Sequence, residues 1–252
     1  MFSITSIMKK KFGKLSLTTL AVLMSISAHL QAAESSDKKK DQAPPIVTPG
    51  ENGSAPSDAI VLFDGSNLDE WQSGDAAAKW TLLKAESAME VKKGTGVLQT
   101  KKTFGDVQLH IEWATPSEVT GSGQGRGNSG VYLQGRYEIQ VLDSFNNETY
   151  YNGQAGAFYN NAAPLVNASR PPGKWQTYDI IFVAPKPQED GSVKPGSFTV
   201  LHNGILIQHQ TPITGKASTA AAYSGATPKG PLVLQDHGNP VRYRNIWIRE
   251  LN

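Results

Sequence analysis

The 252-residue sequence contains no cysteine, which excludes disulfides and lipid attachment at a cysteine. Net charge is scarce too. The 24 Lys and Arg against 22 Asp and Glu leave a formal +2, too little to point to a nucleic-acid partner. No segment shows helical periodicity over a useful length, and no repeat of the solenoid or propeller kind is present. Phosphate loops, glycine-rich dinucleotide fingerprints and the H-E-x-x-H zinc motif are absent.

One extended apolar stretch exists, Leu15 to Leu30, preceded by Lys9, Lys10, Lys11 and Lys14 and followed by Ala32 and Ala33. That order is the order of a secretory signal over residues 1–33, too short and wrongly flanked for a stable membrane span. Residues 34–57 carry Ser, Lys, Asp, Pro and Gly with almost no apolar side chains, which predicts a flexible linker. Residues 58–252 have the size of one domain with a substantial core. The expectation is an exported, soluble protein, periplasmic or secreted, and not a lipoprotein.

What the domain does contain is alternation. Val107, Leu109, Ile111 and Trp113 alternate with Gln108, His110 and Glu112. Val131 and Leu133 alternate with Tyr132 and Gln134, and Tyr137, Ile139 and Val141 alternate with Glu138 and Gln140. Side chains on a strand point to opposite faces with period two, so each segment reads as a half-buried strand with one polar face. The Asn203-Gly204 pair between two apolar runs predicts a tight hairpin, and the broken alternation of Arg242 to Ile248 predicts a bulge near Asn245. Together these describe an all-β domain.

The chemistry-bearing residues gather on the polar faces and at strand ends. Tyr132, Glu138 and Gln140 share a face, with Asp143 just beyond it, and Glu112 is predicted to join them from a strand of the same sheet. Arg126 and Asn128 border a Gly-rich loop, and Tyr159 lies in a loop of aromatic and amide residues. Such side chains suit a sugar, whose hydroxyls bond amides and whose C–H faces stack on rings. Gln235, Asp236 and His237 form a second cluster, and Arg244 lies on the last strand.

Seven motifs then occur in order: L-F-D-G at Leu62–Gly65, G-N-S-G-V-Y-L at Gly127–Leu133, Y-E-I-Q-V-L-D at Tyr137–Asp143, G-K-W at Gly173–Trp175, the Asn203-Gly204 hairpin, L-Q-D-H-G at Leu234–Gly238 and Y-R-N-I at Tyr243–Ile246. Over Ala59 to Leu251 the chain resembles the 3-keto-disaccharide hydrolases, also described as 3-keto-glucoside 1,2-lyases and 2-hydroxy-glucal hydratases, formerly a domain of unknown function. The resemblance implies a concanavalin A-like jelly-roll sandwich of two antiparallel sheets. It also implies an enzyme that breaks 3-keto-glycosides by C2 proton abstraction and β-elimination, by hydration of the 2-hydroxy-3-keto-glucal, or by both.

For that chemistry Glu138 or His237 is the expected base, with Asp236 orienting the histidine. Glu112, Arg126, Asn128, Tyr132, Gln140, Asp143, Tyr159, Gln235 and Arg244 are the expected substrate ligands. No cofactor is required by the sequence, and a divalent metal ion held by carboxylates and His237 is an open alternative as the electrophile. Two other readings use the same residues: a conventional two-carboxylate glycosidase and a non-catalytic sugar-binding module.

Overall fold

The strand Val107–Ala114 shows how the pattern builds the molecule: Val107, Leu109, Ile111 and Trp113 are all at 0 % exposure on the inward side. In the computed structural model, which describes residues 43–251, antiparallel strands of this kind make two large sheets. The larger runs in space Ile205–Ile213, Gly196–His202, Gln176–Val183, Val107–Ala114, Arg242–Glu250, Ala88–Glu90 and Thr81–Leu83, with Ile60–Phe63 paired to Arg242–Glu250. The smaller runs Ala76–Ala77, Trp71–Ser73, Leu98–Phe104, Gly230–Leu234, Ser129–Leu133 and Tyr137–Val141.

One apolar core draws on both sheets. Leu109, Ile111, Ile180, Phe182 and Ile248 come from the larger, and Leu98, Val131, Ile139, Val141 and Leu234 from the smaller. Two buried tyrosines of the larger sheet reach polar atoms of the smaller. Tyr178 Oη donates to the Gln140 carbonyl at 2.8 Å, and Tyr243 Oη donates to Ser129 Oγ at 2.7 Å. Each satisfies a polar group that burial would otherwise leave unpaired. The architecture is the all-β jelly-roll sandwich of antiparallel sheets that the resemblance implies. The predicted hairpin forms with Asn203 at φ 53° and Gly204 at φ 79°, the left-handed pair that such a turn requires. The predicted bulge also forms: pairing slips between Arg244 and Trp247, and Asn245 sits at φ 46°.

The predicted secretory signal, residues 1–33, lies outside the described residues. Among the described residues no helix is long and apolar enough to cross a membrane.

Residues 47–57 differ from the flexible linker expected there. Thr48 and Ser57 bond each other through Thr48 N to Ser57 Oγ and Ser57 N to the Thr48 carbonyl, both at 3.0 Å. The Gly53 carbonyl accepts from Asn245 Nδ2 at 2.9 Å and from Trp247 Nε1 at 2.8 Å. Composition could not show this, because a backbone carbonyl captured by distant side chains leaves no mark on its own segment. The segment forms a strap over His110, whose ring stacks on Trp247 with centroids 5.1 Å apart.

His110 Nδ1 lies 2.7 Å from Asp179 Oδ1, and its Nε2 lies 3.8 Å from Glu112 Oε1. Burial alone would hold this imidazole neutral, but the two carboxylates overcome it and raise its pKa to about 9. A histidine raised above its unfolded value contributes stability fully below about pH 6.5 and loses it as the pH rises through 9. His110→Gln should therefore lower the melting temperature most at pH 6. Thermal unfolding at pH 6 and pH 10 checks this: the gap from wild type should shrink by the equivalent of on the order of 3 kcal/mol.

Candidate active site

The hairpin made by Ser129–Leu133 and Tyr137–Val141 sets the site through its register. Tyr132 lies directly opposite Glu138, and Gly130 directly opposite Gln140, so all four share the outward face of the smaller sheet. On its other side Glu138 has a second cross-strand neighbour. Ile139 bridges Phe158 antiparallel, and Tyr159 N donates to the Glu138 carbonyl at 3.1 Å, which places Tyr159 beside Glu138 on that same face. A row Tyr132–Glu138–Tyr159 therefore crosses the sheet. Gly130 is required here by space. A Cβ at this position would stand 2.4 Å from Glu138 Oε1 and 2.7 Å from the Tyr132 ring.

Polar side chains surround the row. Gln235 follows Val233, which pairs with Tyr132, and its Nε2 donates to Tyr132 Oη at 3.2 Å. Gln140 Nε2 donates to Gln124 Oε1 at 2.9 Å; with its amide turned it donates instead to the Ser129 carbonyl at 2.9 Å and Glu138 Oε1 at 3.1 Å. Asn128 Nδ2 donates to the Gln124 carbonyl at 2.7 Å, and Gln124 Nε2 to the Gly153 carbonyl at 2.8 Å. Tyr150 and Tyr159 join hydroxyls at 2.6 Å. The segment around Ser218 to Tyr223 covers the other flank. Ser218 Oγ accepts from Glu138 N at 3.1 Å, and Tyr223 Oη donates to Gln99 Oε1 at 2.7 Å.

Glu138 is 2 % exposed, and its Oε2 has no hydrogen-bond partner among the described residues. Burial pushes its carboxyl up to about 8, with the Tyr132 hydroxyl pulling the other way. Burial, then the neighbouring Glu138 charge, pushes the Tyr132 phenol well above its usual value, so it stays a hydrogen-bond donor. A carboxyl of this kind holds its proton at neutral pH and becomes a strong, poorly solvated base once it ionises.

Of the residues expected from sequence, Glu138, Tyr132, Gln140, Asn128, Gln235 and Tyr159 are gathered here. Gln124 and Tyr150 complete the set. Nothing local marks Gln124 within its Gly-rich loop, while Tyr150 carried only the weak signal of an aromatic among asparagines.

The other six expected residues are not part of this row. Glu112 belongs to the larger sheet, whose outward face turns away from that of the smaller; it cannot join Glu138. Its Oε2 accepts from Arg244 Nε at 2.7 Å, and the Arg244 guanidinium lies 4.1 Å from the Trp175 ring centroid, so Arg244 is bound into that same distant cluster. Arg126 is committed to the loop wall, its Nε to Asp143 Oδ2 at 2.7 Å and its Nη atoms to the Phe145 and Asn146 carbonyls. Asp143 is thereby a partner of Arg126.

Asp236 does not orient His237. Its Oδ2 accepts from Thr95 N and Gly96 N, and its Oδ1 from Gly238 N, so the carboxylate clamps two loops. His237 is exposed beside it, with no hydrogen bond to Asp236 or Glu138 among the described residues. These donors do not suit the divalent metal considered above, since the three amides already occupy Asp236. No group of three or more His, Asp or Glu placed to hold a metal occurs among the described residues.

Fold and lineage together define a carbohydrate-active enzyme. Residues 58–249 match the profile of the 3-keto-alpha-glucoside-1,2-lyase-like domain, and the chain belongs to that family. It is similar to a crystal structure of a candidate glycosyl hydrolase from Parabacteroides distasonis ATCC 8503, with a TM-score of 0.79 and 47 % identity over 84 % of this chain and 93 % of that one. A second such protein from the same organism shares the fold at a TM-score of 0.58 and 18 % identity, covering 81 % of this chain and 99 % of that one. No curated protein matches the chain.

A carboxyl whose pKa is raised by burial destabilises the fold as it ionises. Stability therefore falls as the pH rises from about 4.5 to about 8. Glu138→Gln should melt at a higher temperature than wild type at pH 8.5 and show a much smaller difference at pH 4.5, by scanning calorimetry at both.

Proposed function

We propose that this protein breaks 3-keto-glycosides, with Glu138 as the general base. A ketone at C3 acidifies the C2–H bond, because the electron pair left at C2 delocalises onto the ketone oxygen as an enolate. Glu138 takes the C2 proton. The enolate then collapses to a C1=C2 double bond, and the C1–O bond breaks to release the protonated aglycone. Addition of water to the resulting 2-hydroxy-3-keto-glucal makes the outcome net hydrolysis.

The observation that carries this reading is the unpartnered, desolvated Oε2 of Glu138. Carbon acids are weak, and a carboxylate removes such a proton best when water does not stabilise it. Tyr132, held protonated and bonded by Gln235, supplies a hydrogen bond for the oxygen that becomes negative. Asn128, Gln124 and Gln140 form an amide shelf for hydroxyls. A two-carboxylate glycosidase fits this geometry less well. The partners of Glu138 on its face are Tyr132, Tyr159 and Gln140, and Glu112 belongs to the other sheet.

Glu138→Gln should reduce kcat/KM on a 3-keto-glucoside by about 10²–10⁴-fold, while His237→Ala should reduce it less than about tenfold. Wild-type kcat/KM should rise with pH through an apparent pKa near 8, the pH at which Glu138 ionises. Chromatography that resolves 2-hydroxy-3-keto-glucal from the free 3-keto sugar supplies the assay. Retained activity in Glu138→Gln, or full loss in His237→Ala alone, would move the base elsewhere.

A further inference from the structure

Elimination requires a second proton transfer that the base cannot perform: the departing oxygen at C1 needs an acid. Three tyrosine hydroxyls lie around Glu138, and their environments differ. Tyr132 is 2 % exposed and accepts from Gln235 Nε2 at 3.2 Å. Tyr159 stands on the outer side, partly exposed, its hydroxyl 2.6 Å from that of Tyr150. Tyr150 in turn lines an open groove of about 1170 Å³ with Asn146, Asn147, Tyr151, Asn152 and Gln154. Glu148 is the single charged residue of the lining, which is otherwise mainly amide and aromatic, the chemistry that receives a neutral sugar or a comparable aglycone.

From this placement we infer that Tyr159 is the acid that protonates the leaving oxygen, with Tyr150 as its positioning partner. The inference rests on the proposed elimination at Glu138. The register supports it directly. Phe158 turns inward at 3 % exposure, so strand alternation sends Tyr159 to the face of Glu138, between the base and the groove.

Two hydroxyls at hydrogen-bond distance share one bridging proton, and the second is free to donate outward. If Tyr150 donates the bridge, the Tyr159 proton points to substrate. As the C1–O bond breaks, the bonding pair goes to the aglycone oxygen, which takes the proton from Tyr159 Oη. The phenolate that remains accepts the Tyr150 hydrogen bond and regains a proton from water. Tyr150 is suited to stay the donor, since burial and its contacts with Tyr159 and Glu138 all push its phenol above the usual value. Tyr132 lies on the other side of Glu138, its hydroxyl donating to the Thr219 carbonyl at 3.4 Å, and is left for the ketone oxygen.

Leaving-group chemistry separates this role from a structural one. An acid matters for an aglycone that leaves poorly and hardly matters for one that leaves well. On the 3-keto derivative of methyl glucoside, Tyr159→Phe should lower kcat by about 100-fold or more. On the 3-keto derivative of 4-nitrophenyl glucoside, the loss should stay below about fivefold. Tyr150→Phe should show the same pattern more weakly.

The C2 proton gives an independent readout. In D₂O, Tyr159→Phe should exchange deuterium into C2 of the methyl substrate at least as fast as the wild type, because an enolate that loses its aglycone slowly is reprotonated instead. Equal slowing of both substrates, or loss of C2 exchange in Tyr159→Phe, would overturn the assignment. Failure of the wild type to turn over either substrate would instead overturn the proposed elimination.

Discussion

Ionising a carboxyl inside a protein is expensive, and the outward face of the smaller sheet accepts that expense at Glu138. Its strand neighbours are two tyrosines and an amide, its flank is closed by the Ser218–Tyr223 segment, and no cation is among the groups that act on its pKa. The surrounding sequence follows from this requirement. Gly130 leaves room for the carboxyl, Tyr132 offers a hydroxyl that stays protonated, and Gln235 arrives from another strand to hold it. A basic residue placed nearby would stabilise the anion and make the fold firmer. It would also make Glu138 a weaker base. Stability and reactivity oppose each other here, as is common at catalytic sites.

Such a site needs strands that do not shift beneath it. The hydrogen bonds from Tyr178 to the Gln140 carbonyl and from Tyr243 to Ser129 cross the core directly below the polar face. They connect the site's hairpin to the two strands that flank Val107–Ala114 in the larger sheet. A slip of one residue would turn Glu138 into the core, so register carries both packing and chemistry. The two outward faces then serve different ends. One holds the polar row at Glu138, and the other holds the ion-paired cluster of His110, Glu112 and Arg244 beside the strap, with Trp175 against the Arg244 guanidinium.

Much of this was legible in the sequence because period-two alternation reports which side chains share a face. It placed Tyr132, Glu138 and Gln140 together. Alternation does not say which sheet a strand joins. Glu112 has the same pattern as Glu138, yet its strand pairs with Gln176–Val183 and Arg242–Glu250, so the two carboxylates part. Adjacency in sequence misled in a similar way at Asp236 and His237. In a turn, neighbouring side chains diverge, and the partners that matter to Asp236 are backbone amides about 140 residues away. The pairing of Tyr159 with Glu138 depends on a single bridge made by a loop, which no local pattern encodes.

The strap has a consequence for where the folded unit begins. The family's shared sequence starts at residue 58, but the groups that cap His110 and Trp247 come from Gly53 and its neighbours. A protein shortened to the family boundary would keep every strand and the whole polar row. It would leave the Trp247 indole N–H without its acceptor and uncover an imidazole that carries charge only because it is enclosed with two carboxylates. For this chain, homology and physical integrity set different boundaries, and about ten residues lie between them.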